Sequence, residues 1–190
     1  LKLKFLRKAG LIIIAGIVGL CLLMLEALYI ISGGFMKPKY LEPWNKDYAA
    51  QYEDPRISLT AVGLLAANNH NMQLWKIELD QEDSMAFYLY VDNSRVTGEV
   101  DPLYRQLMIS QGTFLEYVKL EGEKLGWNAD ISLFPEGGYD ESDILHSMDV
   151  KPVAKITLSK TQPSDSPLYD AIFMADTNRE AYRPKQLTLL

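Results

Sequence analysis

Cysteine is almost absent: Cys21 is the only one in 190 residues. A single thiol closes no internal disulfide, and it excludes a cysteine-based zinc site. Histidine is nearly as scarce. His70 and His146 lie far apart, so no H-x-x-H metal spacing exists. The sequence has no G-x-S-x-G elbow, no P-loop and no G-x-G-x-x-G turn, and it shows no internal repeat or low-complexity tract. Basic charge is short as well, with 19 Lys and Arg against 25 Asp and Glu and a net charge of −6. Four of the basic residues, Lys2, Lys4, Arg7 and Lys8, stand at the start of the chain. The remainder is therefore more acidic than the whole, which argues against nucleic acid or an anionic membrane surface as its partner.

What the sequence does have is one long apolar run. Leu11 to Ile31 is broken only by Glu26 among charged residues. A bilayer core takes roughly 20 apolar residues as a helix, and lipid forces every backbone N–H and C=O to pair internally. The run is expected to span a membrane as a helix. The four preceding positive charges put its first end in the cytoplasm and the rest of the chain outside. Two other readings compete with an uncleaved anchor. One is a cleaved signal peptide with Ser32-Gly33-Gly34 as a weak site. The other is a lipoprotein signal at Cys21, where Leu20 stands in place of the small residue expected. Glu26 lies toward the outer end, where it can reach the interface. The expected organisation is a basic flank at 1–9, an anchor at 10–32, a linker at 33–52 and a soluble domain at 53–190.

The linker holds Gly33, Gly34, Pro38 and Pro43, yet also Tyr40, Trp44, Tyr48 and Tyr52. That many aromatic rings suggests packing on the domain or at headgroup level. A helix is predicted from Pro55, capped by Asp54, with Ile57, Ala61, Leu64 and Leu65 at helical spacing. Two strands follow, Leu74 to Leu79 and Ala86 to Val91, joined as a hairpin across Asp80 to Ser84. A long helix is predicted from Pro102 to Leu125, capped by Asp101 and closed by Gly126, with Leu103, Leu107, Phe114, Val118 and Leu125 on its apolar face. Strands at Asp130 to Phe134 and Val153 to Leu158 flank a turn-rich stretch from Pro135 to Ser142. Ser166-Pro167 opens a short helix with Leu168, Ile172 and Phe173. Mixed helices and strands make an α+β domain.

One segment carries unusual chemistry: Asn68-Asn69-His70-Asn71-Met72-Gln73-Leu74-Trp75. Four amide side chains and an imidazole stand together where a helix ends and a strand begins. Such groups donate and accept hydrogen bonds without charge, which suits a flat polar heterocycle. Asparagines also favour helix ends and turns, so a purely local role is the competing reading.

This segment resembles the S-x-H-N-x-Q-P-W signature of the FMN-dependent nitroreductase family. Within the family it is similar to the branch of NAD(P)H nitroreductases that includes flavin-sequestering, dormancy-associated proteins. Further pieces follow in order. Asp92-Asn93-Ser94-Arg95 is similar to D-x-S-R, and Asp101-Pro102-Leu103-Tyr104-Arg105-Gln106-Leu107 to D-P-x-x-R-x-L. Ile109-Ser110-Gln111-Gly112 is similar to I-S-C-G, Leu133-Phe134-Pro135 follows as in the branch, and Thr177-Asn178-Arg179 with Tyr182 is similar to T-N-R-x-x-F/Y. The match runs over about residues 55–187. Two departures stand out: Ala175-Asp176 replaces an R-R pair, and Leu74 replaces the proline of Q-P-W.

The resemblance implies a three-layer α+β sandwich, half of a tandem or dimeric unit, preceded by one transmembrane helix. It implies FMN as cofactor, with reduced nicotinamide (NAD(P)H) as hydride donor and an electron-poor acceptor such as a nitroarene or quinone. By position, His70, Asn71 and Gln73 would face the flavin, and Thr177, Asn178 and Arg179 would approach its phosphate. Arg95 and Arg105 are expected to be structural, pairing with Asp92 or Asp101. The partner would be a second nitroreductase half, in the same chain or from a homodimer, and the chain is expected to be the first half of such a unit. The alternative is a protein that stores FMN without turnover, or a flavin-free interaction domain outside the membrane.

Overall fold

A computed structural model describes residues 2–36 and 38–174. The chain divides into two units, one up to residue 41 and one from residue 42 onward. The first unit is a single helix, α1, Lys2–Ile31. Its Gly10–Ile31 stretch has a mean hydropathy of 2.7 and none of it is buried within the protein. At 1.5 Å per residue this stretch is about 33 Å long, enough to cross a hydrocarbon core. The helix closes where Ser32 donates its hydroxyl to the Tyr29 carbonyl (2.9 Å) and the Tyr29 hydroxyl donates to the Gly34 carbonyl (2.8 Å).

The second unit opens with two short 3₁₀ turns, Lys39–Trp44 and Ala49–Gln51; the first starts within the preceding unit. Ala49 is buried and Tyr52 packs on an apolar cluster of the domain. Helix α2, Pro55–Gly63, starts as its sequence dictates. Asp54 accepts from the Arg56 amide, and Pro55 fills a position whose N–H would have no partner. The Arg56 guanidinium grips the same carboxylate at 2.8 Å and reaches the carbonyls of Asp80 and Ala86. Those hydrogen bonds hold the Asp54 carboxyl below the usual carboxylate range and tie the start of α2 to the first hairpin.

Four strands form one antiparallel sheet in the order β1-β2-β4-β3. They are β1 Trp75–Leu79, β2 Ala86–Val91, β3 Trp127–Leu133 and β4 Ala154–Lys160. The registers Trp75↔Val91, Leu89↔Ala154 and Ile131↔Ile156 put every apolar alternate on one face. The opposite face carries Lys76, Glu78, Tyr88, Tyr90, Lys155 and Ser132, a division that antiparallel sheets permit. There Lys155 and the Tyr88 hydroxyl both meet the Asp80 carboxylate, at 2.9 and 3.1 Å.

Helix α3, Arg105–Leu125, packs along β3, and α2 packs along α3. Phe114 is fully buried, and a Cβ on Gly63 of α2 would lie 2.6 Å from its ring. That glycine therefore sets how closely the two helices approach. The α2 surface turned inward is Leu59 and Val62; the expected Ile57 and Leu64 face outward, 38% and 46% exposed. Helix α3 also starts later than Pro102. Residues 101–104 form a turn that ends with Tyr104 left-handed (φ 53°), and the buried Asp101 carboxylate accepts from the amides of Arg105 and Leu107, each at 3.0 Å. Asp101 caps the helix as expected, but from one turn further back. Gly126 closes α3 at φ 75°, and a Cβ there would sit 2.9 Å from the Thr161 carbonyl.

Two short helices complete the domain. Helix α4, Ile144–Val150, was not expected from the sequence; it buries Met148 near β2. Helix α5, Tyr169–Ile172, is a single turn whose Ile172 fills the cluster of Ala49, Ala61, Val62, Leu65 and Leu120. Burying that one side chain is worth about 1.5–3 kcal/mol.

Asp101 satisfies two first-turn amides at once, that of Leu107 buried and that of Arg105 partly so. Asp101→Ala is expected to lower the stability of the domain by about 1–2 kcal/mol. Chemical denaturation monitored by tryptophan fluorescence checks this, and an unchanged midpoint would remove Asp101 from the capping role.

Candidate functional site

The polar segment that joins α2 to β1 is held at several points by α3. The Asn69 amide donates to the Ser110 hydroxyl (2.9 Å), which itself donates to the Gln106 carbonyl (2.8 Å). The Thr113 hydroxyl meets the Ala67 carbonyl (2.7 Å). The Trp75 indole N–H donates to the Ser110 carbonyl (3.1 Å), and the buried Gln111 amide donates to the Leu74 carbonyl (3.2 Å). Asn68 closes the segment on itself: its Oδ1 accepts from the Gln73 amide (2.9 Å). Arg95, paired with Asp92 at 3.0 Å, supports the far side by donating to the Met72 carbonyl (3.3 Å).

Between these ties the backbone is strained. His70, Asn71 and Gln73 have φ values of 48°, 54° and 52°. Each is a left-handed residue that is not glycine, and such conformations cost of order 1–3 kcal/mol unless the surroundings dictate them. Asparagine tolerates this region better than glutamine or histidine. The consequence is a regular sorting of side chains. Met72 and Leu74 turn inward, whereas His70, Asn71 and Gln73 turn out to solvent. Among the described residues these three side chains have no hydrogen-bond partner, so their donors and acceptors are free for a ligand.

Beside the loop lies an open hollow of about 310 Å³, lined by Ala67, Asn68, Asn69, Gln106, Ile109, Ser110 and Thr113. Its polar lining carries amides and hydroxyls and no charge. Ile109 adds an apolar wall that is 67% exposed. The volume falls at the lower end of small-molecule sites. Gln106, Ser110 and Thr113 have no role assigned from sequence, because only the docking of α3 against the loop places them there. Their spacing of three to four residues on one helix face was the available signal.

The other expected site residues divide in two. Arg95 is structural, as its pairing with Asp92 shows. Arg105 meets Asp101 through its backbone amide, not its guanidinium. Thr177, Asn178 and Arg179 lie outside the described residues, as do Ala175, Asp176 and Tyr182. No cluster of three or more metal-ligating side chains occurs among the described residues.

No family model matches the chain. It is 25% identical over 122 residues to two curated, uncharacterized proteins of Mycobacterium tuberculosis, from strains CDC 1551 and H37Rv. The alignment takes in 57% of this chain and 35% of each relative, so the chain spans about a third of the length of the curated relatives it matches. Among solved structures, one described as an NADH oxidase of Clostridium acetobutylicum overlays on 60% of this chain and 80% of its own, with a TM-score of 0.43 and 14% identity. A nitroreductase family protein of Streptococcus pneumoniae covers 60% and 82%, with a TM-score of 0.38 and 16% identity. A protein of Exiguobacterium sibiricum, described as a nitroreductase in complex with FMN, covers 67% and 87%, with a TM-score of 0.41 and 15% identity.

Ser110 is the central tie between α3 and the loop. Ser110→Ala leaves the Asn69 amide without its acceptor and is expected to raise hydrogen exchange at that amide about tenfold, a change of roughly 1.4 kcal/mol in local opening. Exchange at the β2 amides should stay as it was. Equal protection of Asn69 in both proteins would show that Ser110 does not hold the loop.

Proposed function

We propose that the chain is the flavin-binding part of a nitroreductase-like redox protein carried on an N-terminal membrane anchor. The observation that supports this best is the 68–74 loop. The residues that match the family signature are the ones held left-handed with unengaged side chains. A helix end needs one left-handed residue and a tight turn at most two; three within four residues, locked by Ser110, Gln111 and Thr113, point to presentation of a ligand-facing edge. The ordered set of further motifs, from Asp92 to Tyr182, supports the same reading.

The residues present fit the ring of FMN. Asn71 and Gln73 offer paired donors and acceptors suited to a heterocycle edge, and His70 adds an imidazole. The uncharged hollow beside them suits a flat, neutral ring system. Thr177, Asn178 and Arg179 would hold the phosphate, with the Arg179 guanidinium as its counter-charge. FMN, when bound, supplies the capacity to take hydride from a reduced nicotinamide and pass electrons to an electron-poor acceptor. The protein's own task is to orient the ring and to set the polarity at its edge. That task needs no side-chain acid or base, which agrees with a site built from amides and hydroxyls.

The anchor would be the Gly10–Ile31 stretch of α1. Its basic flank, Lys2, Lys4, Arg7 and Lys8, argues for a cytoplasmic first end and an outer domain beyond it. The purified full chain, supplemented with FMN, is expected to show the visible absorption of a bound flavin. Asn71→Ala and Gln73→Ala should each weaken FMN binding by about tenfold, one hydrogen bond's worth. Anaerobic NADH or NADPH then separates the outcomes. Bleaching marks a redox enzyme; a flavin that stays oxidised marks a store. A colourless protein that binds no FMN overturns the reading. Alkaline carbonate extraction should leave the chain in the membrane fraction, and removal of residues 1–32 should release it; a full chain found in the supernatant would overturn the anchor.

A further inference from the structure

Glu121 sits on the buried side of α3 with 3% of its surface exposed. Its carboxyl oxygen Oε2 is buried and has no hydrogen-bond partner among the described residues. Leu120, next to it, belongs to the apolar cluster of Ala49, Ala61, Val62, Leu65 and Ile172. Nothing in the proposed flavin site uses this acid.

What covers the cluster is a strap. After β4 the chain turns back along the end of α3: the Thr161 amide donates to the Gly126 carbonyl (2.9 Å) and the Ser164 amide to the Glu123 carbonyl (2.8 Å). Asp165 then pairs with Lys124, and α5 follows with Ile172 driven into the cluster. Among the described residues α5 is held further by Tyr169 and Phe173, which pack at the edge of the cluster, by a surface pair, Lys46 with Asp170 at 2.6 Å, and by Lys46 over the Phe173 ring and Lys124 over the Tyr169 ring. A one-turn helix has almost no stability of its own, and exposed ion pairs add little. Its seat therefore depends on what lies beneath it.

We propose that Glu121 is a proton-controlled latch for the 161–174 strap: with the carboxyl protonated, α5 seats firmly on the cluster, and with it ionised, α5 opens more readily. The cost of a buried charge with an unpaired oxygen works against the seat that Ile172, Tyr169 and Phe173 make on the cluster. The groups facing Glu121 do not remove that cost. On its own helix, Lys124 offers a counter-charge but is partly exposed and already engaged with Asp165. On α5, Tyr169 is within reach of the carboxyl, and Asp170 is held by Lys46. From the segment ahead of α2, Asp47 adds only negative charge, and Tyr52 packs on the cluster as a neutral phenol. Burial pushes the Glu121 carboxyl up, against weaker opposing pulls from Tyr169 and Lys124, and burial likewise keeps Tyr169 a phenol. The sign follows. The seated state binds the proton more tightly than the open state, so seating is complete below the ordinary glutamate range. It is lost progressively as pH rises through the raised value. The Lys46–Asp170 pair runs the other way, weakening only in acid.

Hydrogen exchange of the full chain tests this in the peptide that spans α5. After correction for intrinsic rates, opening is expected to rise about tenfold or more between about pH 5 and about pH 8, one decade for each unit by which the pKa is raised. Glu121→Gln keeps the shape and removes the charge, so its exchange should be flat over that range, while β2 and β4 stay unchanged in both proteins. A flat wild-type profile, or the same slope in Glu121→Gln, overturns the latch. Carbon-13 NMR titration of the Glu121 carboxyl in the wild type decides the matter even if the variant misfolds. A midpoint above the ordinary glutamate value supports the latch, and one at or below it overturns it.

Discussion

The second unit depends on one constraint: α3 is buried over a wide arc for its whole length, and that arc is not wholly apolar. Phe114, Leu115 and Val118 supply the packing against the sheet and α2. Ser110, Gln111 and Glu121 sit on the same buried side. Polar groups taken out of water must find partners or raise the free energy of the fold. Each of these three residues therefore recruits a neighbouring segment, and the segments recruited are the ones with something to do.

At the first half of α3 the loop before β1 meets most of the requirement, although Gln111 Oε1 has no partner among the described residues. Ser110 and Gln111 hydrogen-bond to its backbone, and Thr113 and the Trp75 indole complete the clamp. The clamp holds residues 70–73 in a conformation they would not choose alone. At the second half, Glu121 is answered only in part, by a short helix that Ile172, Tyr169, Phe173 and a surface ion pair keep in place. The same helix thus carries a rigid contact and a conditional one. Rigidity suits a loop proposed to present a ligand-binding edge. Conditional packing suits a strap that can open.

The sheet shows the simpler principle. Alternation in β1, β2 and β4 gives one face to the core and one to water, and the register keeps both faces consistent across all four strands. The polar face is organised by Asp80, which gathers Lys155 and Tyr88 from two neighbouring strands while its other oxygen closes the β1–β2 turn.

Much of this was legible in the sequence because it is local. The apolar length of α1, the Asp54-Pro55 start of α2, the two-residue period of the hairpin strands and the Gly126 stop of α3 each follow from a few adjacent residues. The His70, Asn71 and Gln73 cluster was legible as a candidate site only through the ordered motifs around it, since asparagines in a row equally suit a plain turn. Helix α4 was not, because Asp143 makes no side-chain cap and the seven residues directly follow a turn-rich stretch. Nor was the first turn of α3, where Asp101 caps from a distance that only the folded turn at Tyr104 creates. The sequence by itself determined which segments could be helix, strand or membrane span, because propensity and periodicity act over a few residues. Only the tertiary structure decided that Ser110, Gln106 and Thr113 border the hollow and that Glu121 lies under α5. Those neighbours are tens of residues apart in the chain, and burial, which gives them their chemistry, exists only once the helices and the sheet have packed.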